Sequence, residues 1–438
     1  MSYFRPISIS LSPNVEKDDL KIALNLIIRP WLWKKGKAIK ELENEFKNYL
    51  GVKYAFSFNS GRSSFFAILK SLNLPGGSEV LLQAFTCNAV PNPVLWAGLK
   101  PVYVDCNRDD FNINTNDLEN KITVNTKAVI VQHTFGLPAD MDKVRAVCSA
   151  YNLILIEDCA HSLGAEYGSA GSPQVMIKAG AHSKASFFSF SRDKIISSVY
   201  GGMAVTNDDK LGEALQQAQG KMGFPSPFWI FQQILHPIFL YYFILPIYNL
   251  LDLGKIFLVL SQWLHVLSKA VSWQEKQGKR PDYFPRAMPN GLAIMALNQF
   301  NKLDKFDAHR QKLADYYYNE LKDTKFELPR IYEGASASGE ASATRRKNVF
   351  LRFTVKHKDA HEIIYEAWHK QNILLGDWYT TPIAPFDTNI DEIKYVKGSC
   401  ENAERLAKTT LNLPTHINIS EKDAERIVNF LKKWNSEK

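Results

Sequence analysis

The chain has 438 residues, of which 45% are hydrophobic, 12% aromatic and 22% charged, an ordinary globular composition that excludes a disordered tract, a repeat array and a disulfide-stapled miniprotein. Its formal charge of +8 attracts anions in general, whether phosphates, nucleotides or acidic membrane surfaces, and chooses among none of them. Cys87, Cys106, Cys148, Cys159 and Cys400 are scattered, with no CxxC pair and no histidine cluster at metal-ligand spacing, so reduced thiols and no metal site are expected.

The amino-terminal stretch MSYFRPISISLSPNVEKDD lacks the basic-then-apolar layout of a secretory signal, and a cytoplasmic protein is expected. Short apolar or β-branched runs then alternate with amphipathic stretches: YAFSF from Tyr54, EVLL from Glu79, PVYV from Pro101, AVIVQ from Ala128, LILIE from Leu153, SFFSF from Ser186 and GMAVT from Gly202. Strands alternating with helices predict an α/β fold whose mainly parallel sheet is covered on both faces. One connection, KVRAVCSAYN, puts Val144, Val147 and Cys148 on one helical face before the fully apolar LILIE, a βαβ rhythm.

Ligands of such sheets gather at the carboxyl ends of strands, so the polar residues after each run matter most: 59–64, 86–88, His133, 158–161 and 191–194. Asp158 emerges at a strand tip, where a carboxylate can hold a proton on a pyridine nitrogen or, equally, act as a turn or cap residue. Lys194 follows a strand-like run and precedes a Gly-Gly segment; a lysine there can form a Schiff base if its pKa is lowered, or be a solvated surface cation. SGRSS from Ser60 can cap a helix or offer free N–H groups to an anion.

After the Gly-Gly strand comes PSPFWIFQQILHPIFLYYFILPIYNLLDLGKIFLVLSQWLHVLSKAVSW, with no Asp, Glu, Lys or Arg from Phe228 to Leu251. The run is long enough to span a bilayer, but Pro237 and Pro246 interrupt it, and a single crossing would separate Lys194 from the carboxyl-terminal part. An aromatic-rich helical pair lying in a membrane interface, at the inner face, is therefore expected through residues 224–268; buried packing or an oligomer contact is the alternative. From about Asn301, long charged helices, the strand-like FLRFTV and the closing helix SEKDAERIVNFLKKW predict a smaller α+β domain, and GASASGEASAT from Gly334 reads as a surface loop. The expected division is a large α/β domain over 1–300, with the apolar helical insertion at about 224–272, and a small domain over 301–438.

Several motifs stand in a fixed order: Glu157-Asp158-Cys159-Ala160-His161, then Ser189-Phe190-Ser191-Arg192-Asp193-Lys194, then Gly201 and Gly202 leading to Thr206-Asn207-Asp208. Around them lie GKAIKELENEF from Gly36, LGVKYAFSFNSGRSS from Leu50, HTFGLPADMD from His133 and LAKTTLNLPTHINISEKD from Leu406. Over nearly its whole length the chain resembles the DegT/DnrJ/EryC1/StrS family of sugar aminotransferases, which have the PLP-dependent transferase type I fold of aspartate aminotransferase.

The resemblance implies pyridoxal 5′-phosphate as cofactor, Lys194 as Schiff-base lysine and proton shuttle, and Asp158 as partner of the pyridine nitrogen. It places His161 beside the ring, gives Ser189 and the Gly61-Arg62-Ser63 turn to the phosphate, and sets Cys87 where relatives carry a stacking aromatic, so that either Phe85 supplies a ring face or stacking is weaker. Arg192-Asp193 and Arg62 depart from the family's Pro-Thr and Thr, and Tyr283–Arg286 corresponds only roughly to a loop that reaches the neighbouring subunit. The implied reaction moves an amino group, from glutamate or another donor, onto a nucleotide- or lipid-linked keto sugar in amino-sugar and surface-polysaccharide biosynthesis. A homodimer is expected and a nucleic-acid partner is not. The alternatives are a sugar dehydratase, which commonly has histidine in place of the lysine, and a membrane-associated PLP-binding protein without turnover.

Overall fold

The computed structural model describes residues 5–169, 172–329 and 346–437, and the small-residue stretch from Gly334 lies outside them. In chain order the first half contains α1 (Lys17–Ile27), α2 (Ala38–Leu50), β1 (Tyr54–Phe58), α3 (Gly61–Ser71), β2 (Glu79–Gln83), β3 (Lys100–Val104), β4 (Thr126–Gln132), α4 (Met141–Ala150), β5 (Ile154–Asp158), β6 (Ala185–Ser189) and β7 (Gly202–Thr206). The strands form one sheet in the order β1-β7-β6-β5-β4-β2-β3, and only β7 runs against its neighbours. Residues 79–83 and 202–206 are buried throughout, as strands covered on both faces must be.

The covering helices carry apolar stripes. In α2, Leu42, Phe46 and Leu50 recur every fourth residue and are buried, and the helix stops at Gly51, whose φ of 71° is the left-handed C-cap geometry glycine adopts without strain. In α4 the expected Val144 and Cys148 are buried, the expected Val147 is only half-buried, and Met141 completes the inward face. A hairpin of Glu166–Ser169 and Ser172–Lys178, with Arg346–Lys347 added at its edge, lies outside the main sheet and has no counterpart among the predicted strands.

The apolar insertion begins with α5 (Pro227–Phe239) and ends with α6 (Leu253–Trp263), and the two sit differently. Helix α5 packs into the body: Trp229, Ile230, Ile234 and Ile238 are buried, Phe231 meets Trp33, and buried His236 shares a hydrogen bond with Ser12. By length and composition Pro227–Ile247 could cross a membrane, yet 56% of its apolar window is buried inside the protein. The buried-packing alternative thus describes α5. Helix α6 buries Gly254 and Ser261, packs half-buried Leu258 against the Leu240, Ile244, Tyr248 and Leu267 cluster, and turns its other large apolar side chains outward.

Beyond the insertion come α7 (Asn290–Phe300), α8 (Leu303–Leu321), β8 (Arg352–Lys356), α9 (Ala360–Gln371), α10 (Glu401–Thr409), β9 (Thr410–Pro414) and α11 (Glu421–Glu437), with β8 and β9 antiparallel. Ile7–Ser8 pairs in parallel with Ile373–Leu374, so the amino-terminal segment is built into this carboxyl-terminal part.

Candidate active site

Asp158 is the last residue of β5, between Gln132 of β4 and Phe187 of β6, so the parallel register delivers its side chain to the carboxyl edge of the sheet. Glu157, one position earlier, faces the opposite way, where it meets the His133 ring at 2.9 Å and accepts from the Ser183 hydroxyl and the Gly180 N–H. His133, Glu157 and Cys159 bring ligand atoms within 4.8 Å of one another, but the first two are already engaged: His133 Nδ1 accepts the Ala139 N–H, leaving Nε2 to donate to Glu157.

Lys194 sits in the loop between β6 and β7, which is closed by the Phe190 N–H on Gly201 and the Ser198 N–H on Phe190. Asn14 holds its backbone, donating to the carbonyls of Lys194 at 2.6 Å and Ile195 at 2.9 Å, and buried Arg310 in turn donates to Asn14. The Lys194 side chain faces a cavity of about 240 Å³ that Asp158 also lines.

Burial lowers the Lys194 ammonium to about 8, with Asp158 acting against the shift. Burial likewise raises the Asp158 carboxyl to about 6, although the Ala160 N–H and the Lys194 cation pull it down. The cavity thus brings an amine that is partly neutral near pH 7 and a carboxylate together in a desolvated space. His161 is kept neutral by burial first and then by the Lys194 and Arg352 cations. Its Nδ1 accepts the Phe135 N–H at 3.2 Å, which leaves the proton on Nε2.

The opposite end of the cavity is shaped for an anion. Ser60 caps α3 by accepting the Ser63 N–H, and Gly202 of β7 lies so close that a Cβ there would stand 2.5 Å from the Gly61 nitrogen. Gly61 is equally tight against Ser189, where a Cβ would come within 2.9 Å of the serine's own. The missing Cβ atoms let the start of α3 pack directly on β7 and Ser189, so that Gly61 and Arg62 set this helix amino terminus, with its positive dipole end, against the cavity.

Gly61, Arg62, Cys87, Asp158, His161, Ser189 and Lys194 all line this cavity. Ser63 does not: it is fully buried, its N–H goes to Ser60 and its hydroxyl to Asn59. Arg62 arrives already neutralised, in a buried ion pair with Glu275 and with its guanidinium 4.7 Å from the Phe284 ring. Phe85 supplies no ring face to the cavity; with φ at 64° it turns into a core cluster with Phe111, Phe135 and Tyr379. The Tyr283–Arg286 loop is hydrogen-bonded to Asn59 of its own chain.

Sequence reasoning missed several walls of the site. Trp378 stacks on His161 at 5.4 Å, and both Lys194 Nζ, at 4.7 Å, and the Arg352 guanidinium, at 3.5 Å, lie over its ring. The segment leaving the insertion closes another side: Arg192 donates to Ser268, Tyr200 to the Lys269 carbonyl, and Arg62 to the Ala270 carbonyl. No local sequence pattern marks these contacts, because each joins residues far apart in the chain.

The sequence pattern of the DegT/DnrJ/EryC1/StrS aminotransferase family matches residues 14–225 and 267–432, leaving out the insertion. Over 428 residues the chain is 26% identical to a GDP-perosamine synthase from Caulobacter vibrioides, covering 98% of each. In fold it is similar to Helicobacter pylori PseC, an aminotransferase of pseudoaminic acid biosynthesis, with a TM-score of 0.73 and 21% identity over 99% of this chain and all of that one. It is also similar to NtdA from Bacillus subtilis, solved with the cofactor PMP, with a TM-score of 0.72 and 20% identity over the whole of this chain and 86% of that one. With that pattern matched over most of its length, the chain belongs to the DegT/DnrJ/EryC1/StrS aminotransferase family, whose cofactor is pyridoxal 5′-phosphate.

Proposed function

We propose that this protein transfers an amino group from a donor amino acid, glutamate in the simplest case, to the carbonyl carbon of a keto sugar. The acceptor is carried on a nucleotide, in keeping with the GDP-perosamine synthase relative and the surplus of positive charge, or on a lipid. The observation that carries the reading is the pairing of Lys194, lowered to about 8, with Asp158 in one desolvated cavity whose far end is a helix amino terminus.

These residues fit the cofactor. The Gly61 start of α3 with Ser189 suits its phosphate, while Arg62 is held beside it by Glu275; Asp158 suits a protonated ring nitrogen, and His161 and Trp378 offer flat faces beside Lys194. When bound, the cofactor supplies an electron sink for charge left on the substrate carbon. Lys194 Nζ takes the proton from the substrate carbon that bears the nitrogen and later returns one, for which a partly neutral amine is suited. Asp158, kept ionised by holding a cationic partner, secures that partner's proton, and the apolar walls exclude competing water.

The same reading includes a homodimer working in the cytoplasm at the inner face of the membrane. The test incubates the holoenzyme with glutamate and a panel of nucleotide-linked keto sugars and measures 2-oxoglutarate. Keto acid formed in proportion to an aminated sugar, and absent with Lys194→Ala, is expected; no transfer from any donor to any acceptor of the panel overturns the reading.

A further inference from the structure

We propose that the outward face of α6, with the aromatic and basic residues around it, is a docking surface for an anionic lipid bilayer. The inference stands on the insertion alone and is independent of the catalytic reading.

Helix α6 is built inside out. Its buried positions are Gly254 and Ser261, and Ile256, Phe257, Val259, Leu260 and Trp263 point to solvent, Val259 at 65% and Trp263 at 73% exposure. Gly254 is an inward contact because a Cβ there would stand 2.4 Å from the Tyr248 Cα, so the helix meets the protein through its small residues and Leu258 and leaves the rest of its apolar side chains outside. Water is a poor partner for such a face, and something apolar is expected to cover it.

Charge selects the occupant. From 222 to 281 the only acids are Asp252 and Glu275, and both are spent within the protein, on Lys255 and Arg62. A cleft of about 750 Å³ beside α6 collects the aromatic side chains of Phe228, Trp263 and Trp273 with the cations Lys269 and Arg286, Asp282 being the one acid in its lining. Exposed Trp31, Lys34 and Lys35 belong to the segment that meets α5 through the Trp33–Phe231 contact. An apolar stripe flanked by tryptophans and lysines matches the acyl boundary, interface and headgroup layers of an anionic leaflet.

A second copy seated on the same patch by two-fold symmetry would set each basic rim against its own like charge. Spanning is disfavoured because α5 is packed into the body with Gln232, Gln233 and His236 buried, so the protein lies on the surface and does not thread through it.

The experiment floats full-length holoenzyme with vesicles of phosphatidylethanolamine containing a quarter phosphatidylglycerol, and with vesicles of phosphatidylcholine alone. The protein is expected to float with the anionic vesicles, less so as salt is raised. The exposed-face variant Phe257→Ser/Leu260→Ser/Trp263→Ser should lower the bound fraction about tenfold with an unchanged melting temperature. Lys269→Glu, a single exposed change, should lower binding to the anionic vesicles only, which keeps the test decisive if the triple variant folds poorly. Wild type that stays unbound, or variants that bind as wild type does, overturns the proposal; so does a triple variant that keeps its vesicle binding and dissociates to a smaller species, which would make this face a contact between copies.

Discussion

Lys194 owes its chemistry to desolvation. With its ammonium lowered to about 8 from an ordinary 10.5, the folded chain carries fewer protons than the unfolded one between those values, and the neutral amine is lost about tenfold for each pH unit below 8. Cofactor uptake by the apo-protein, followed by absorbance, should therefore rise about tenfold from pH 6 to pH 7 and level off above 8, where a pH-independent rate would refute the assignment. Asp158→Asn keeps the shape and removes the charge; turnover should fall by about 10²–10⁴ while cofactor binding persists, and turnover near wild type would remove Asp158 from the mechanism. That Asp158 and Lys194 share one cavity was legible because Asp158 ends a strand, Lys194 follows one by five residues, and both stand in a motif order. Ser63 and Phe85 were not, since sequence does not say that a hydroxyl and an N–H are spent on a cap, or that a left-handed backbone turns a ring into the core. Glu275 and Asn14 lie 213 and 180 residues from the groups they hold, beyond any local pattern.

At the level of elements, β7 and α3 meet through backbone. In Gly202→Ala the new Cβ would collide with the Gly61 nitrogen and the Ser60 carbonyl carbon, neither of which can swing away, at a cost of about 1–3 kcal/mol. A lowered melting temperature together with weaker cofactor retention is expected; loss of stability with full retention would mean that the α3 start does not hold the phosphate. Removing the acid of the buried pair in Glu275→Ala leaves Arg62 uncompensated and should cost about 3–5 kcal/mol in denaturant unfolding, and a neutral effect would show that water or another group replaces it. The strands were legible in the sequence as short apolar runs, and α4 as a stripe. The two helices of the insertion were not separable by composition, since both are apolar; that α5 packs inward and α6 outward is decided by the tertiary partners of α5, namely α1 and α7. The hairpin of Glu166–Ser169 and Ser172–Lys178 escaped because its apolar residues, Tyr167 and then Val175, Met176 and Ile177, are too few and too unevenly spaced to show either period.

For the molecule as a whole, the alternation of strands and helices foretold the mainly parallel sheet, and the motif order foretold which residues meet in one cavity at its edge. The reversal of β7 and the pairing of Ile7–Ser8 with Ile373–Leu374 were hidden, because direction and long-range pairing leave no mark on a five- or two-residue run. The claim on which the catalytic reading rests is that Lys194 carries the cofactor. Borohydride reduction of the holoenzyme followed by peptide mass spectrometry tests it most directly: the account predicts the reduced cofactor on the peptide containing Lys194 and no label in Lys194→Ala. Label on another lysine, or equal labelling of the variant, would contradict it.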